Sequence, residues 1–454
     1  MFISKIILFV YISYILCQRE KLQIVNLLNP NFSPEETKNL IFAFNNMKHG
    51  ATTPCYGLNE YYTDIFGQRW EGYCELTKKG YLQLFKLGRI WQQRYSRLLN
   101  LSNPDVNKVK SFASQANKTL MSSNALFYGI YINKSTAIEE QLTVPVRNFK
   151  NYEGEELIPI FYYGDKNNCK GWKKIVENNM NKLTAEINRN LNKFYNNYKN
   201  IFNAVKKDER MINSKTLLEK IDLICSSYIS NYYDDRHRNI RLFKTLNFTD
   251  EKFYNLYYDC IEINLFRYIN IDYGEDAQKV PTIILSDLVK DMIYYMDEII
   301  KNPESAKFIS YIGHDSTVAG LQVILEKAFN VSPKLMNFAS NQLFLLYKTS
   351  DNETEIEKNY EVKYFYNDQL SMITDYSEFK KNLLKFLNTQ NNLQFFCEGL
   401  KPYDYLVLSL SSAIIILLFG IISICIYHRN MLFNKKVYLS LKEESKEKTV
   451  DIKN

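Results

Sequence analysis

The sequence predicts an α/β fold that carries a helical insertion and ends in a hydrophobic segment. Two apolar runs of strand length, residues 40–44 and 308–312, are each followed by a loop that contains histidine and glycine. Between them, residues 172–268 repeat apolar residues at three- and four-residue steps, which is typical of helices. Open α/β sheets bind ligands beyond the carboxyl ends of their strands. The two histidine loops are therefore candidates for one functional site.

The composition fits a globular protein with a large core and argues against a nucleic-acid-binding protein. The chain has 454 residues, of which 46% are hydrophobic, so it can bury a large core in one domain with an insertion or in two domains. The net charge of +7 is small for this length, and no basic stripe accompanies a binding motif, so we expect no nucleic-acid partner. Lysine outnumbers arginine along the whole chain.

The amino-terminal segment reads as a secretory signal. Lys5 supplies the positive charge, residues 6–16 form the apolar stretch, and cleavage near Cys17 is expected, which assigns residues 1–17 to the signal peptide. A retained anchor is the alternative, although the apolar run is short for a membrane span.

A second apolar run, residues 406–427, has no charge and is long enough to cross a bilayer. Lys435 and Lys436 follow it, which favours the cytosol for that flank. We therefore expect a single-pass type I membrane protein with a membrane helix at 405–427 and a cytosolic tail at 428–454. Residues 18–400 would form a lumenal or extracellular domain, in a lysosome, in an endosome or at the cell surface.

The cysteines and glycosylation motifs fit an exported domain. Cys17 and Cys425 fall in the signal and in the membrane segment, and six remain, which allow 15 pairings into three disulfides. The six are Cys55, Cys74, Cys169, Cys225, Cys260 and Cys397. The better candidates among the Asn-x-Ser/Thr motifs are Asn100, Asn117, Asn133, Asn247 and Asn352.

The mid-chain region predicts a helical cap. We assign residues 166–280 to this insertion, because its apolar residues follow helical spacing around 175–194 and again over 217–232. His237 stands in a run of charged residues, 234–238, and is expected to be a solvated surface residue.

The remaining pattern predicts a helix over 281–300, a helix over 316–329, and strands at 341–347 and 360–366. The helix at 316 would begin just after Asp315. Its amino end would present backbone N–H groups to an anion held beside His314.

The two histidine loops carry a recognisable pattern. The first reads Lys48-His49-Gly50-Ala51-Thr52-Thr53-Pro54, and the second reads His314-Asp315. They resemble the histidine acid phosphatase family, whose signature is Arg-His-Gly-x-Arg-x-Pro early in the chain and His-Asp late in it. Leu76-Thr77-Lys78-Lys79-Gly80 is similar to the family's Leu-Thr-x-x-Gly helix. Lys110-Ser111 and Lys118-Thr119-Leu120-Met121-Ser122 are similar to its Arg-Ser…Arg-Thr-x-x-Ser segment. The resemblance runs from about residue 40 to residue 397.

The resemblance implies a three-layer sandwich with a mostly parallel central sheet and a helical cap. It implies acid phosphatase activity on small phosphate monoesters through a phosphohistidine, without a metal or other cofactor. On that template His49 is the nucleophile and Asp315 the proton donor, while Lys48, Thr52, Lys110 and His314 bind the phosphate. It also implies a Cys169–Cys397 disulfide, which leaves Cys225–Cys260 and Cys55–Cys74. A homodimer is one assembly left open.

The expected phosphate clamp departs from the family, because Lys48, Thr52 and Lys110 stand where arginines are expected. Lysine keeps the charge but loses the two-pronged donor, and threonine loses the charge as well. Two interpretations follow. The chain is an acid phosphatase with reduced activity, or it is a catalytically silent membrane glycoprotein that binds a ligand in the same cleft.

Overall fold

A computed structural model describes residues 38–55, 61–99, 108–114, 116–131, 146–147, 170–181, 185–272, 279–350, 356–387 and 414–430. The described residues up to 387 belong to one compact unit, and residues 414–430 belong to a second.

Seven strands of the first unit form one sheet, and two short strands form a separate hairpin. The strands are Leu40–Lys48 (β1), Tyr61–Thr63 (β2), Arg69–Glu71 (β3), Val109–Ala113 (β4), Val146–Arg147 (β5), Phe308–Gly313 (β6), Asn341–Lys348 (β7), Tyr360–Tyr366 (β8) and Gln369–Asp375 (β9). The order in the large sheet is β5-β4-β6-β1-β7-β8-β9, and β2 pairs with β3.

The large sheet is mixed, so the expectation of a mostly parallel sheet is wrong. Strands β5, β4, β6 and β1 are parallel neighbours, whereas β7, β8 and β9 continue the sheet in antiparallel pairs. The β8–β9 connection is the two-residue turn Asn367-Asp368, in which both residues have positive φ. So short a connection can only join antiparallel strands, because parallel strands need a long crossover.

The helices alternate with the strands and cluster in the middle of the chain. They are Lys78–Arg94 (α1), Ser96–Leu99 (α2), Asn117–Tyr131 (α3), Lys170–Asn181 (α4), Ala185–Asn197 (α5), Lys199–Val205 (α6), Glu209–Asn213 (α7), Leu217–Tyr233 (α8), Arg241–Thr245 (α9), Asp250–Arg267 (α10), Lys279–Ile284 (α11), Ser286–Lys301 (α12), Asp315–Phe329 (α13), Tyr376–Leu387 (α14) and 414–430 (α15). The helix expected over 281–300 is two helices, α11 and α12, which are separated at Leu285.

Two hydrophobic clusters cover the two faces of the sheet, which gives the three layers that the resemblance implies. Phe42 and Phe44 of β1 belong to a cluster that includes α12, α13 and the helices of the mid-chain region. Ala43 and Met47 of the same strand belong to the other cluster, with α1 and α3. Side chains alternate between the faces of a strand, and here both faces are apolar because helices cover both.

His237 is buried, contrary to the expectation of a solvated residue; it is 6% exposed. Its ring lies 4.7 Å from the ring of Tyr232 and 4.9 Å from that of Phe253. The charged neighbours Asp235 and Arg238 are exposed instead. The charged residues around His237 in the sequence therefore gave no sign that its own side chain packs against aromatic rings.

Two disulfides join described cysteines, Cys55–Cys74 and Cys225–Cys260. These are the pairs expected for those four residues, and the Cys169–Cys397 pair lies outside the described residues. Among the glycosylation candidates, Asn117 and Asn247 are exposed, and Asn100, Asn133 and Asn352 lie outside the described part.

The terminal segments are described only in part. The signal segment 1–17 lies outside the described residues, as do the first residues of the expected membrane helix. The described portion, 414–430, is helical and exposed. Within the described ranges, no helix has both the length and the apolarity that a membrane crossing requires.

Candidate active site

His49 lies immediately after β1, at the carboxyl end of the sheet. Its backbone N–H donates to the carbonyl of Gly313 at the end of β6, at 3.1 Å. Its own carbonyl accepts from the N–H of Ala339, at 3.0 Å. The backbone of His49 is therefore fixed between the neighbouring strand β6 and the segment that leads into β7.

The loop after His49 rests on the start of α1. Thr77 is the N-cap of that helix, and its hydroxyl accepts from the N–H of Gly80 at 3.0 Å. The same hydroxyl donates to the carbonyl of Ala51 at 3.1 Å, and the N–H of Thr77 reaches that carbonyl at 2.9 Å. The Leu-Thr-x-x-Gly motif thus caps α1 and holds the histidine loop at once.

Two glycines make this contact possible. A Cβ added to Gly80 would lie 2.1 Å from the carbonyl oxygen of Ala51, and one added to Gly50 would lie 2.5 Å from that of Gly80. Both obstructing atoms belong to the backbone, so only a shift of the loop or of the helix could relieve the overlap.

Replacing Gly80 by alanine is expected to move the His49 loop. We expect the free energy of unfolding to fall by about 1–3 kcal/mol, as for other overpacked sites, with a loss of phosphate binding. Thermal melts and phosphate titrations measure both effects. Gly420→Ala is the matched control, since an added Cβ there meets nothing within 4 Å. An unchanged melting temperature in Gly80→Ala would contradict the close packing.

The structure brings the two distant histidines together. His314 follows β6, the parallel neighbour of β1, and its ring centroid lies 5.6 Å from that of His49, with the rings inclined by 72°. Asp315 follows as the first residue of α13. One small anion could contact both rings and the amino end of this helix.

Lys48 and the cap both contact Asp315. The Lys48 ammonium forms an ion pair with the Asp315 carboxylate, and the two side chains are 8% and 23% exposed. The amide of Asn264, on α10, donates to the other carboxylate oxygen at 3.3 Å. Burial alone would raise the pKa of Asp315, but the charge and hydrogen bond of Lys48, with that of Asn264, lower it below its ordinary value.

Lys118 is a cation of the site to which the sequence analysis gave no role. It stands in the first turn of α3, and its ammonium lies 2.8 Å from the sulfur of Cys74. Its charge lowers the pKa of both His49 and His314. The signal that could have identified it is its place in the Lys-Thr-x-x-Ser segment, at the helix start that follows β4.

Lys110 does not join the site. It pairs with Ile309 in the register of β4 and β6, five residues before His314, or roughly 16 Å along the strand at the usual rise. Its ammonium lies 3.3 Å from the hydroxyl of Tyr295 and 4.7 Å from the centre of that ring. The structure therefore places Lys110 away from the two histidines, contrary to the expectation, whereas the charge of Lys118 acts on both rings.

Thr52 lies in the loop three residues after His49. It is 2% exposed, and its backbone forms an isolated antiparallel bridge with Leu76. Within the described ranges, no cluster of His, Cys, Asp or Glu could hold a metal ion.

Hydrogen bonding selects the form of His49. Its Nδ1 lies 2.8 Å from the carbonyl oxygen of Gly50. A carbonyl only accepts, so Nδ1 carries the proton and Nε2 keeps a lone pair in the neutral ring. Burial, the charge of Lys118, the ring of His314 and the charge of Lys48 together hold the pKa of His49 well below its ordinary value. The lowered pKa favours the neutral ring, in which Nε2 keeps its lone pair.

The ring of His314 is held by a hydroxyl from the segment that follows β4. Its Nε2 lies 3.0 Å from the Ser114 hydroxyl, which lies 2.6 Å from that of Thr119. Burial and Lys118 lower the pKa of His314 to about 3, against the opposing effect of Asp315. The lowered pKa values favour the neutral form of both imidazoles.

The sequence matches the model of one protein family. The match is to the histidine phosphatase superfamily (branch 2) and covers residues 30–367. No curated protein matches the chain.

Solved structures share the fold at low sequence identity. A phytase from Citrobacter braakii is 10% identical with a TM-score of 0.52, and covers 77% of this chain and 98% of its own. A Klebsiella sp. ASR1 phytase is 12% identical with a TM-score of 0.51, and covers 78% and 98%. A Bifidobacterium longum multiple inositol polyphosphate phosphatase, in complex with inositol hexasulfate, is 10% identical with a TM-score of 0.51, and covers 77% and 90%.

Proposed function

Because this chain belongs to branch 2 of the histidine phosphatase superfamily, we propose that it hydrolyses small phosphate monoesters through a phosphohistidine on His49. One observation carries the proposal. The ring of His49, oriented by the Gly50 carbonyl, lies 5.6 Å from that of His314, and an acid, Asp315, follows His314 at the start of α13.

In the first step, Nε2 of His49 attacks phosphorus. The bond from phosphorus to the alcohol oxygen breaks, and Asp315, in the fraction of molecules in which it is protonated, gives its proton to that oxygen. The products are a phosphohistidine, the free alcohol and an ionised Asp315. In the second step, a water attacks phosphorus and gives a proton to Asp315, and the bond from phosphorus to Nε2 breaks. His49 and the protonated acid are restored, and inorganic phosphate leaves.

The charges of the site support this use. Lys48 and Lys118 are positive, and Asp315 is the opposing charge, so the site favours an anion. The amino end of α13 adds partial positive charge. Lysines and preorganised N–H groups aimed at the equatorial oxygens stabilise the charge that develops during phosphoryl transfer.

A matched pair of variants tests which lysine serves the phosphate. We expect Lys118→Ala to lower kcat/KM for phenyl phosphate by roughly 10²–10³-fold, since one preorganised donor is lost. Lys118→Arg should retain most activity. Lys110→Ala is expected to leave kcat/KM close to the parent value, because Lys110 lies against Tyr295. Steady-state kinetics on the four proteins measure this, and a larger loss in Lys110→Ala would contradict the assignment.

The second candidate is a silent glycoprotein that binds an anionic ligand in the cleft. The observation that favours it is the weak clamp. Thr52 replaces a cation, and Lys48 is already paired with Asp315. Tight phosphate binding without turnover of any ester would support it.

Restoring arginine at position 52 separates the two candidates. If the enzyme is only weakened, Thr52→Arg should raise kcat/KM by about 10-fold or more, because a charged bidentate donor is added. Thr52→Val controls for the loss of the hydroxyl, and a thermal melt controls for folding around this buried position. Tighter phosphate binding without any gain in rate would indicate a repurposed site.

A further inference from the structure

An open cavity of about 620 Å³ lies beside the site just described, between α1, the segment 337–341 and the mid-chain helices. Neither catalytic histidine lines it, nor do Lys48 and Asp315. Its size falls within the range of small-molecule sites, which is roughly 300–1,000 Å³.

One wall of the cavity is aromatic. Tyr232 and Tyr257 stack with their centroids 4.2 Å apart, and Tyr233 meets Phe338 edge-on at 5.1 Å. The hydroxyl of Tyr257 donates to the Asn337 side chain at 2.8 Å and lies 3.1 Å from the hydroxyl of Tyr233. These bonds fix the rings before any ligand arrives. A rigid aromatic wall with a few amides suits a flat organic molecule.

The charge at the mouth is positive. Lys79 and Asp235 line the cavity and form an ion pair with each other. Arg238 also lines it and pairs with Asp250, which lies outside the lining, at 3.0 Å. Lys86 lines it too, is exposed, and forms no ion pair with any residue of the described part. Three cations against one acid in the lining favour an anionic substituent on the ligand.

We propose that this cavity is a second ligand site, for a small aromatic compound that carries one anionic group, such as an aryl carboxylate or sulfonate. Phe338 joins the two sites. Its ring centroid lies 5.9 Å from that of His49 on one side, and the Lys48 ammonium lies 4.5 Å above it. A bound ring would touch Phe338 without reaching the phosphate position, so both sites can be filled at once.

Calorimetric titration of 2-naphthalenesulfonate into the full chain, with saturating inorganic phosphate present, tests the proposal. Phosphate occupies the catalytic site, so it removes binding there as an explanation. We expect one molecule to bind with a Kd on the order of 0.1–1 mM, as for a fragment of this size. The result does not depend on turnover, so it stands apart from the proposed phosphatase activity.

Four variants locate the bound probe. Leu82→Trp fills the cavity from a position that is 41% exposed and should weaken binding by about 10-fold or more. Lys86→Glu should weaken it by about 5-fold and should have less effect on neutral 2-naphthol. Ile212→Trp and Lys385→Glu are the controls, at exposed positions outside the lining. Absence of binding, loss of binding on adding phosphate, or equal binding by Leu82→Trp would overturn the proposal.

Discussion

Replacement of His49 by alanine is expected to lower kcat for aryl phosphate hydrolysis by roughly 10⁴-fold or more, as when other enzymes lose their nucleophile. The reason is geometric. The hydrogen bond from Nδ1 of His49 to the Gly50 carbonyl leaves Nε2 without a proton, so its lone pair is available for attack. His314 cannot take over, because its own Nε2 lies at the Ser114 hydroxyl. Initial rates on phenyl phosphate across pH 4 to 7 measure the loss.

The chain offers a matched control for this variant. His428 is exposed and lies in α15, in the second compact unit, so His428→Ala removes an imidazole without touching the site. Its rate should equal that of the parent. The melting curve of His428→Ala should match that of the parent. The melting temperature of His49→Ala should fall by no more than the removal of one buried side chain explains. Equal rates for His49→Ala and the parent would rule out the enzyme interpretation.

Replacement of Asp315 by asparagine is expected to lower kcat for an alkyl phosphate by about 10²–10⁴-fold, the usual contribution of a general acid. A nitrophenyl ester should lose much less, because its leaving group departs without a proton. The variant also frees Lys48 from its ion pair. We therefore expect inorganic phosphate to bind more tightly and KM to fall together with kcat.

The pH profile gives an independent measure of the same residue. The pKa of Asp315 is below its ordinary value, because Lys48 and Asn264 favour the ionised form against the effect of burial. The protonated fraction falls about tenfold for each pH unit above that pKa. The parent rate on alkyl esters should thus decline as pH rises, whereas Asp315→Asn should lose this decline. Asp375→Asn, at an exposed strand position, is the control. A decline that persists in Asp315→Asn would assign it to another group.

The sequence predicted the elements that build the site. The apolar runs at 40–44 and 308–312 became β1 and β6, and the helix expected just after Asp315 became α13. This worked because runs of strand length that are apolar throughout indicate strands covered on both faces, although β1 continues past the apolar run to Lys48. The meeting of His49 and His314 then follows from the parallel pairing of two adjacent strands.

The errors have physical causes as well. Lys110 and Lys118 both stand where the family pattern has arginine, and only strand register shows that Lys110 points at Tyr295 in mid-strand. Asn264 has no local signal, because its role depends on how the mid-chain helix α10 meets Asp315. His237 is buried by Tyr232 and Phe253, and its charged neighbours in sequence do not encode those contacts.

The direction of β7, β8 and β9 was not read from the sequence, although the turn at Asn367-Asp368 could have given it. Two residues that tolerate positive φ between strand-like runs favour a hairpin. The strand at 360–366 was expected, but β9 was not, so the turn had no second strand to join.

The most direct test of the central claim is to trap the covalent intermediate. The full chain would be mixed with phenyl phosphate for milliseconds and quenched in alkali, in which a phosphohistidine survives, and its peptides would then be weighed by mass spectrometry. We predict one phosphoryl group on the peptide that contains His49, its absence in His49→Ala, and its accumulation when water attack is slowed in Asp315→Asn with a nitrophenyl ester. Turnover with no phosphorylated histidine, or with the phosphoryl group on a peptide that lacks His49, would contradict the account.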